Sequence, residues 1–131
     1  MDTATRLRWL RPLLLAKVIA CLFVWGLPAL LAPPALLIWF GMEMPADPVS
    51  LRSFGAVVTA VSLLYWYAYK DPLSNMSVLR FGILDNGLAA LALIVLAITV
   101  GLMAWFYWVS LVLLLVFAIA FVVLLPRDQV E

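Results

Sequence analysis

Residues 105–125 read WFYWVSLVLLLVFAIAFVVLL, twenty-one positions without a charge. At 1.5 Å per residue, a helix of that length covers about 31 Å, and the hydrocarbon core of a bilayer is ~30 Å thick. In lipid, backbone polar groups find partners only within the segment itself, so such a run must be helical. Working outward, three further stretches meet the same requirement: 13–32, 51–69 and 81–102. The pattern predicts an all-α integral membrane protein, a four-helix transmembrane bundle forming a single domain over residues 1–131. Crossing angles near 20° are the usual membrane geometry.

Composition requires the same solvent. The 131 residues are 68% hydrophobic and 11% charged, against roughly 45–50% apolar in soluble domains. One small core cannot hide that excess. The run 13–32 continues into Pro33-Pro34 without a small-x-small cleavage pattern, and it reads as a retained helix.

Charge supplies the orientation. Of eight lysines and arginines, seven fall on one side of this span pattern: Arg6, Arg8, Arg11, Lys17, Lys70, Arg80 and Arg127; Arg52 alone lies opposite. Cations in short cytoplasmic loops direct insertion, so both termini are expected in the cytoplasm, in a multi-pass protein of the cell inner membrane. The interfacial aromatics agree: Trp9, then Tyr65, Trp66, Tyr67 and Tyr69, then Trp105 to Trp108 at the outer start of the last span.

The connections differ in kind. Residues 101–104 leave room only for a tight turn, making spans three and four an antiparallel hairpin. In the middle loop Pro72 ends the second helix, and Ser74 or Asn75 is placed to cap the third. The outer loop contains an apolar piece, 35–42, too short to cross; it is expected at the outer interface or tucked back into the bundle. Pro28 removes one hydrogen bond from the first span and predicts a kink near 26–28.

Several chemistries are absent. Histidine does not occur, which excludes imidazole-held haem or zinc and every histidine base. Cys21 is the one cysteine, so the chain has no internal disulfide. A net charge of +1 gives no reason to expect nucleic acid as a partner. No phosphate loop and no nucleophile with its base occurs, and neither a cofactor nor a metal is expected.

Three groups of residues stand out. Asp85 and Asn86 lie about one turn inside the third span, where a carboxylate needs a partner. Gly82, Asp85, Ala89 and Ala92 share a small-residue face, which turns Asp85 toward the bundle. Lys17 is the natural counter-charge, with Arg80 competing. This cluster reads as a register-fixing ion pair or, in the functional reading, a proton relay or headgroup site. The aromatics Tyr65, Trp66, Tyr67 and Tyr69 form an interfacial belt or an apolar ligand wall. Arg52 opens the second span near Glu43 and Asp47 and reads as an outer-loop clamp. Ser53, Ala56 and Ala60 form a small-residue stripe suited to helix packing, within this chain or against another protomer.

The order of basic N-terminus, one span, apolar outer segment and then Arg52-Ser53-Phe54-Gly55 opening the second span resembles the DoxX-like group of small bacterial membrane proteins. The resemblance covers the whole architecture, and its motif is Arg52 and Gly55 at their spacing. It implies a bacterial inner-membrane four-helix protein, in a group with some members tied to membrane redox complexes. It carries over no catalytic residue.

The expected function is therefore a non-enzymatic accessory or structural subunit of a membrane complex, whose partners are the lipid bilayer and another membrane protein or a second copy of itself. Two alternatives belong to other classes. A small transporter fits four spans, although the first-span glutamate of small multidrug exporters is missing here. A lipid- or quinone-binding membrane enzyme or redox-complex subunit would use Lys17, Asp85 and Asn86 against the tyrosine-rich wall.

Overall fold

The computed structural model describes residues 2–102 and 104–126. Among them every regular element is helical. The first span is compound: α1 (Thr3–Ile19), a π-helical stretch (Ala20–Gly26) and α2 (Leu27–Leu31). A short α3 (Pro34–Trp39) follows, then α4 (Val49–Lys70), α5 (Met76–Thr99) and α6 (Trp105–Leu124). Four helices, Thr3–Leu31, Val49–Lys70, Met76–Thr99 and Trp105–Leu124, are long and apolar enough to cross a membrane. The expected Arg127 lies outside the described residues.

The first three spans begin earlier than their apolar runs do, and the fourth begins with its run at Trp105. The first helix starts about three turns before the apolar stretch because Asp2 caps it, its Oδ1 accepting from the Thr5 amide at 3.1 Å. The Thr5 hydroxyl and amide hold the Asp2 carboxyl below the usual carboxylate range. Arg6, Arg8 and Arg11 thus ride on the helix. Arg6 donates to the Leu125 carbonyl at 2.6 Å, so the start of the first span meets the end of the last.

The irregularity expected at Pro28 appears as a widened turn. Proline has no N–H to give the carbonyl four residues back, and the preceding residues adopt the five-residue pattern, with the Leu27 amide bonded to the Leu22 carbonyl.

The four spans form a ring. The first span lies between α4 and α6, α6 pairs most closely with α5, and the α4–α5 seam is the sparsest. Across both diagonals the backbones stay apart. Side chains fill that centre: Lys17 reaches α5 along one diagonal, and Tyr65 stacks on Phe121 along the other, ring centroids 5.9 Å apart. The closest backbone approach is between the first span and α4. A Cβ on Gly55 would collide with backbone atoms of Leu30, Ala29 and Gly26, and a Cβ on Gly26 would meet the Thr59 hydroxyl at 2.6 Å.

The ends are closed differently. Gly101, at φ +85°, ends α5 with its amide on the Leu96 carbonyl and turns the chain toward α6. In the middle loop Asp71 accepts from the Ser74 amide (3.2 Å) and hydroxyl (2.6 Å), which hold its carboxyl below the ordinary range, hydroxyl foremost. Asn75 does stand at the N-cap position of α5, yet its side chain turns back to the Asp71 carbonyl at 2.9 Å and the Tyr67 carbonyl at 3.4 Å, at the end of α4, and does not cap α5. At the end of the bundle opposite the N-terminus, the apolar piece 35–42 overlaps α3, which buries Leu37 and leaves Ile38 and Trp39 exposed. Trp39, Phe40, Trp105 and Phe106 pack edge to face over the helix ends.

Candidate functional site

Lys17, Cys21 and Trp25 recur every four residues along the first span, so one helical face delivers all three to the bundle interior. Lys17 is 1% exposed. Its Nζ donates to Asn86 Oδ1 at 2.6 Å and lies 3.4 Å from Asp85 Oδ2, the single ion pair among the described residues. It also sits over the rings of Trp25, Tyr65 and Phe117 at 5.1, 5.3 and 5.1 Å, so aromatic faces solvate what the carboxylate does not.

The α5 side is built in two layers. Asn86 is fully buried, and its Nδ2 donates to the Gly82 carbonyl at 2.6 Å, fixing the amide with its oxygen toward Lys17. Gly82 leaves room for the Phe121 ring, which would lie 3.0 Å from an added Cβ. Asp85 stands one position aside with its side chain 31% exposed. Tyr65 donates its hydroxyl to Asp85 Oδ2 at 2.9 Å. Trp25 Nε1 donates to Ser110 Oγ at 2.9 Å, tying the first span to α6. No buried side-chain polar atom among the described residues lacks a partner.

Depth follows from helical rise. Lys17 lies six residues beyond Arg11 and Asp85 five beyond Arg80, or about 9 and about 7.5 Å inward at 1.5 Å per residue. The charges sit within the apolar zone, at matched depth.

The structure thus brings Lys17, Asp85 and Asn86 together and leaves Arg80 exposed on the outside of α5, without an ion pair. It also exchanges the two neighbours. Asn86, with Gly82 and Ala90, is the buried face of α5, while Asp85 borders it and Ala92 is exposed. The expected small-residue face meets the contact line at Gly82 and departs from it beyond, because glycine and alanine occur on both sides of that line.

The tyrosine-rich wall divides. Tyr65 is buried in the cluster; Trp66 and Tyr67 are exposed, and Tyr69 stacks on Trp66 with centroids 5.3 Å apart. Arg52 is not paired with Glu43 or Asp47. It donates to the Ala29 carbonyl at 3.0 Å and the Ala32 carbonyl at 2.7 Å. These carbonyls end the first span, where Pro33 and Pro34 provide no N–H, and a guanidinium fork can satisfy two at once. Asp47 instead accepts from the Val49 amide at 2.9 Å, at the start of α4, and Glu43 lines a shallow depression beside Leu37 of α3.

Two cavities adjoin the cluster. One, of about 280 Å³, lies in the α4–α5 seam against Lys17, Cys21, Trp25 and Asp85. A second, of about 190 Å³, lies closer to α3, against Leu37. Trp25 and Phe54 border both. Phe117, Phe121 and Ser110 were not singled out in the sequence because α6 is apolar throughout and offers no contrast; Trp25 carried a signal in its spacing from Lys17. Among the described residues no group of three or more cysteines or carboxylates is placed to hold a metal ion. No family model matches the chain, and neither curated proteins nor solved structures match it.

Proposed function

We propose that this chain is a non-enzymatic accessory or structural subunit of a membrane complex, docking through the outer face of α4. The observation that carries the reading is the Ser53–Ala56–Ala60 stripe. All three residues are exposed, while the chain's own close crossing uses Gly55 on the opposite face of the helix. In lipid, apolar surface alone gives helices no reason to associate. Small residues do, by letting backbones approach and pack. A stripe of that kind left uncovered suits a partner helix. The internal cluster, with every buried polar atom satisfied, suits a part that holds register.

The setting proposed is the inner membrane of a bacterium, both termini cytoplasmic, supported by the seven-to-one partition of cations. The likeness to the DoxX-like group gains a physical rationale, since Arg52 caps the end of the first span and Gly55 permits its crossing with α4.

The test is co-purification in mild detergent, followed by mass spectrometry, of wild type and an Ala56→Phe/Ala60→Phe variant. The reading expects a stoichiometric membrane partner, or a defined homo-oligomer, that the variant loses while its thermal unfolding is unchanged. A partner retained by the variant, or a wild type that purifies as a bare monomer, defeats it. A small transporter is the second reading, favoured by the two cavities that share Trp25 and Phe54.

A further inference from the structure

The α4–α5 seam is where the helix ring is thinnest, and its cavity opens sideways: Phe54, Val57 and Phe81 at its rim are exposed on faces that lie at membrane depth. Three observations define what fits there. The first is size. An apolar cavity of about 150 Å³ takes benzene, whereas drug-sized pockets begin at about 300 Å³. A space of about 280 Å³ therefore holds one substituted ring, with any tail left in the lipid.

The second is the wall. Trp25, Phe54 and Phe81 contribute aromatic surface from three different helices, which favours a flat ring by offset or edge-on packing. The third is the polar edge. Lys17 is spent on Asn86, Asp85 and the ring faces, and Tyr65 points its hydroxyl at Asp85 Oδ2. Both protein contacts of the carboxylate go to Oδ2, so Oδ1 remains an acceptor in a partly exposed side chain bordering the cavity. Lys17 and Asp85 cancel in net charge, so neither a cation nor an anion is drawn in. With the charge balanced, the open lone pairs of Oδ1 call for a neutral donor, and a hydroxyl supplies one.

We propose that this seam binds the phenolic, single-ring headgroup of a membrane-dissolved apolar molecule, its hydroxyl donating to Asp85 Oδ1 and its tail leaving between α4 and α5. The site is independent of the docking face proposed above, since the Ser53–Ala56–Ala60 stripe does not line it.

An ortho-brominated para-nonylphenol tests this, because bromine quenches tryptophan on contact and Trp25 forms part of the wall. The protein is placed in phosphatidylcholine nanodiscs and titrated with the phenol, with its methyl ether and, in competition, with a straight-chain alkanol. The expected result is a saturable quench by the phenol, about tenfold tighter than by the ether, a difference of about 1.4 kcal/mol. The saturable part disappears in Trp25→Phe. Ala89→Leu, which fills the cavity from α5 without touching the ion pair, weakens it about tenfold or more. Should Ala89→Leu not fold, Val57→Phe narrows the exposed rim and is expected to act in the same direction. Identical, non-saturating quenching by phenol and ether in wild type and variants would mean simple partitioning and overturns the proposal. Equal competition by the alkanol overturns the requirement for a ring.

Discussion

At the scale of single residues, the bundle depends on a cation that is almost wholly withdrawn from its surroundings. Lys17 has one ionic partner, one amide partner and three ring faces, each from a different position in the chain. Removing one member of a buried pair leaves the other uncompensated, which costs about 3–5 kcal/mol. Lys17→Met and Asp85→Asn are each expected to lower stability by that order. The double variant should lose less than the sum, with a coupling of about 0.5–3 kcal/mol, measured by reversible unfolding in detergent. Strict additivity would show that the two residues do not act as a unit. Lys17 and Asp85 were recognisable as partners before any fold was known, because charges in an apolar run have few alternatives. That Asn86 rather than Asp85 would be fully enclosed was not recognisable. Adjacent positions on a helix differ by about 100° in direction, and only the neighbours decide which of them is covered.

At the scale of elements, glycine positions separate contact from free surface. Gly55 has backbone of the first span where a side chain would stand, so Gly55→Ala must push α4 away from α2 and is expected to cost about 1–3 kcal/mol. Gly87 has nothing within 4 Å of an added Cβ. Gly87→Ala is expected to be neutral or stabilising, since alanine is the better helix former. Comparing the two melting curves checks the assignment of faces, and a larger loss at Gly87 than at Gly55 would reverse it. The same element explains Arg52. From sequence its nearest acids were Glu43 and Asp47, but the carbonyls left open by Pro33 and Pro34 are buried more deeply and need donors more. The helix limits were also only partly legible. Apolar length locates what lies in lipid, whereas caps such as Asp2 and turns such as Asp71–Ser74 decide where helix begins and ends.

At the scale of the whole molecule, four helices in a ring leave their sparsest contact at the α4–α5 seam and two diagonals that only side chains cross. The proposed orientation has a direct test on this frame. In a Cys21→Ser background, a membrane-impermeant maleimide should label Ser74→Cys only from the cytoplasmic side and Ala46→Cys only from the opposite side. The reverse pattern would refute the proposed orientation. Span number, helical class and the pairing of Lys17 with the Asp85–Asn86 step were determined by the sequence alone. Lipid cannot satisfy a backbone or a charge, so a run of apolar residues has one outcome and a charge within it has few partners. Which helix faces which was left to the tertiary structure, and with it the division of the tyrosines, the role of Arg52 and the cavity in the α4–α5 seam. In helices apolar on every side, hydrophobicity does not distinguish the lipid face from the packing face. Close steric fit does, and it exists only once the partner helices are in place.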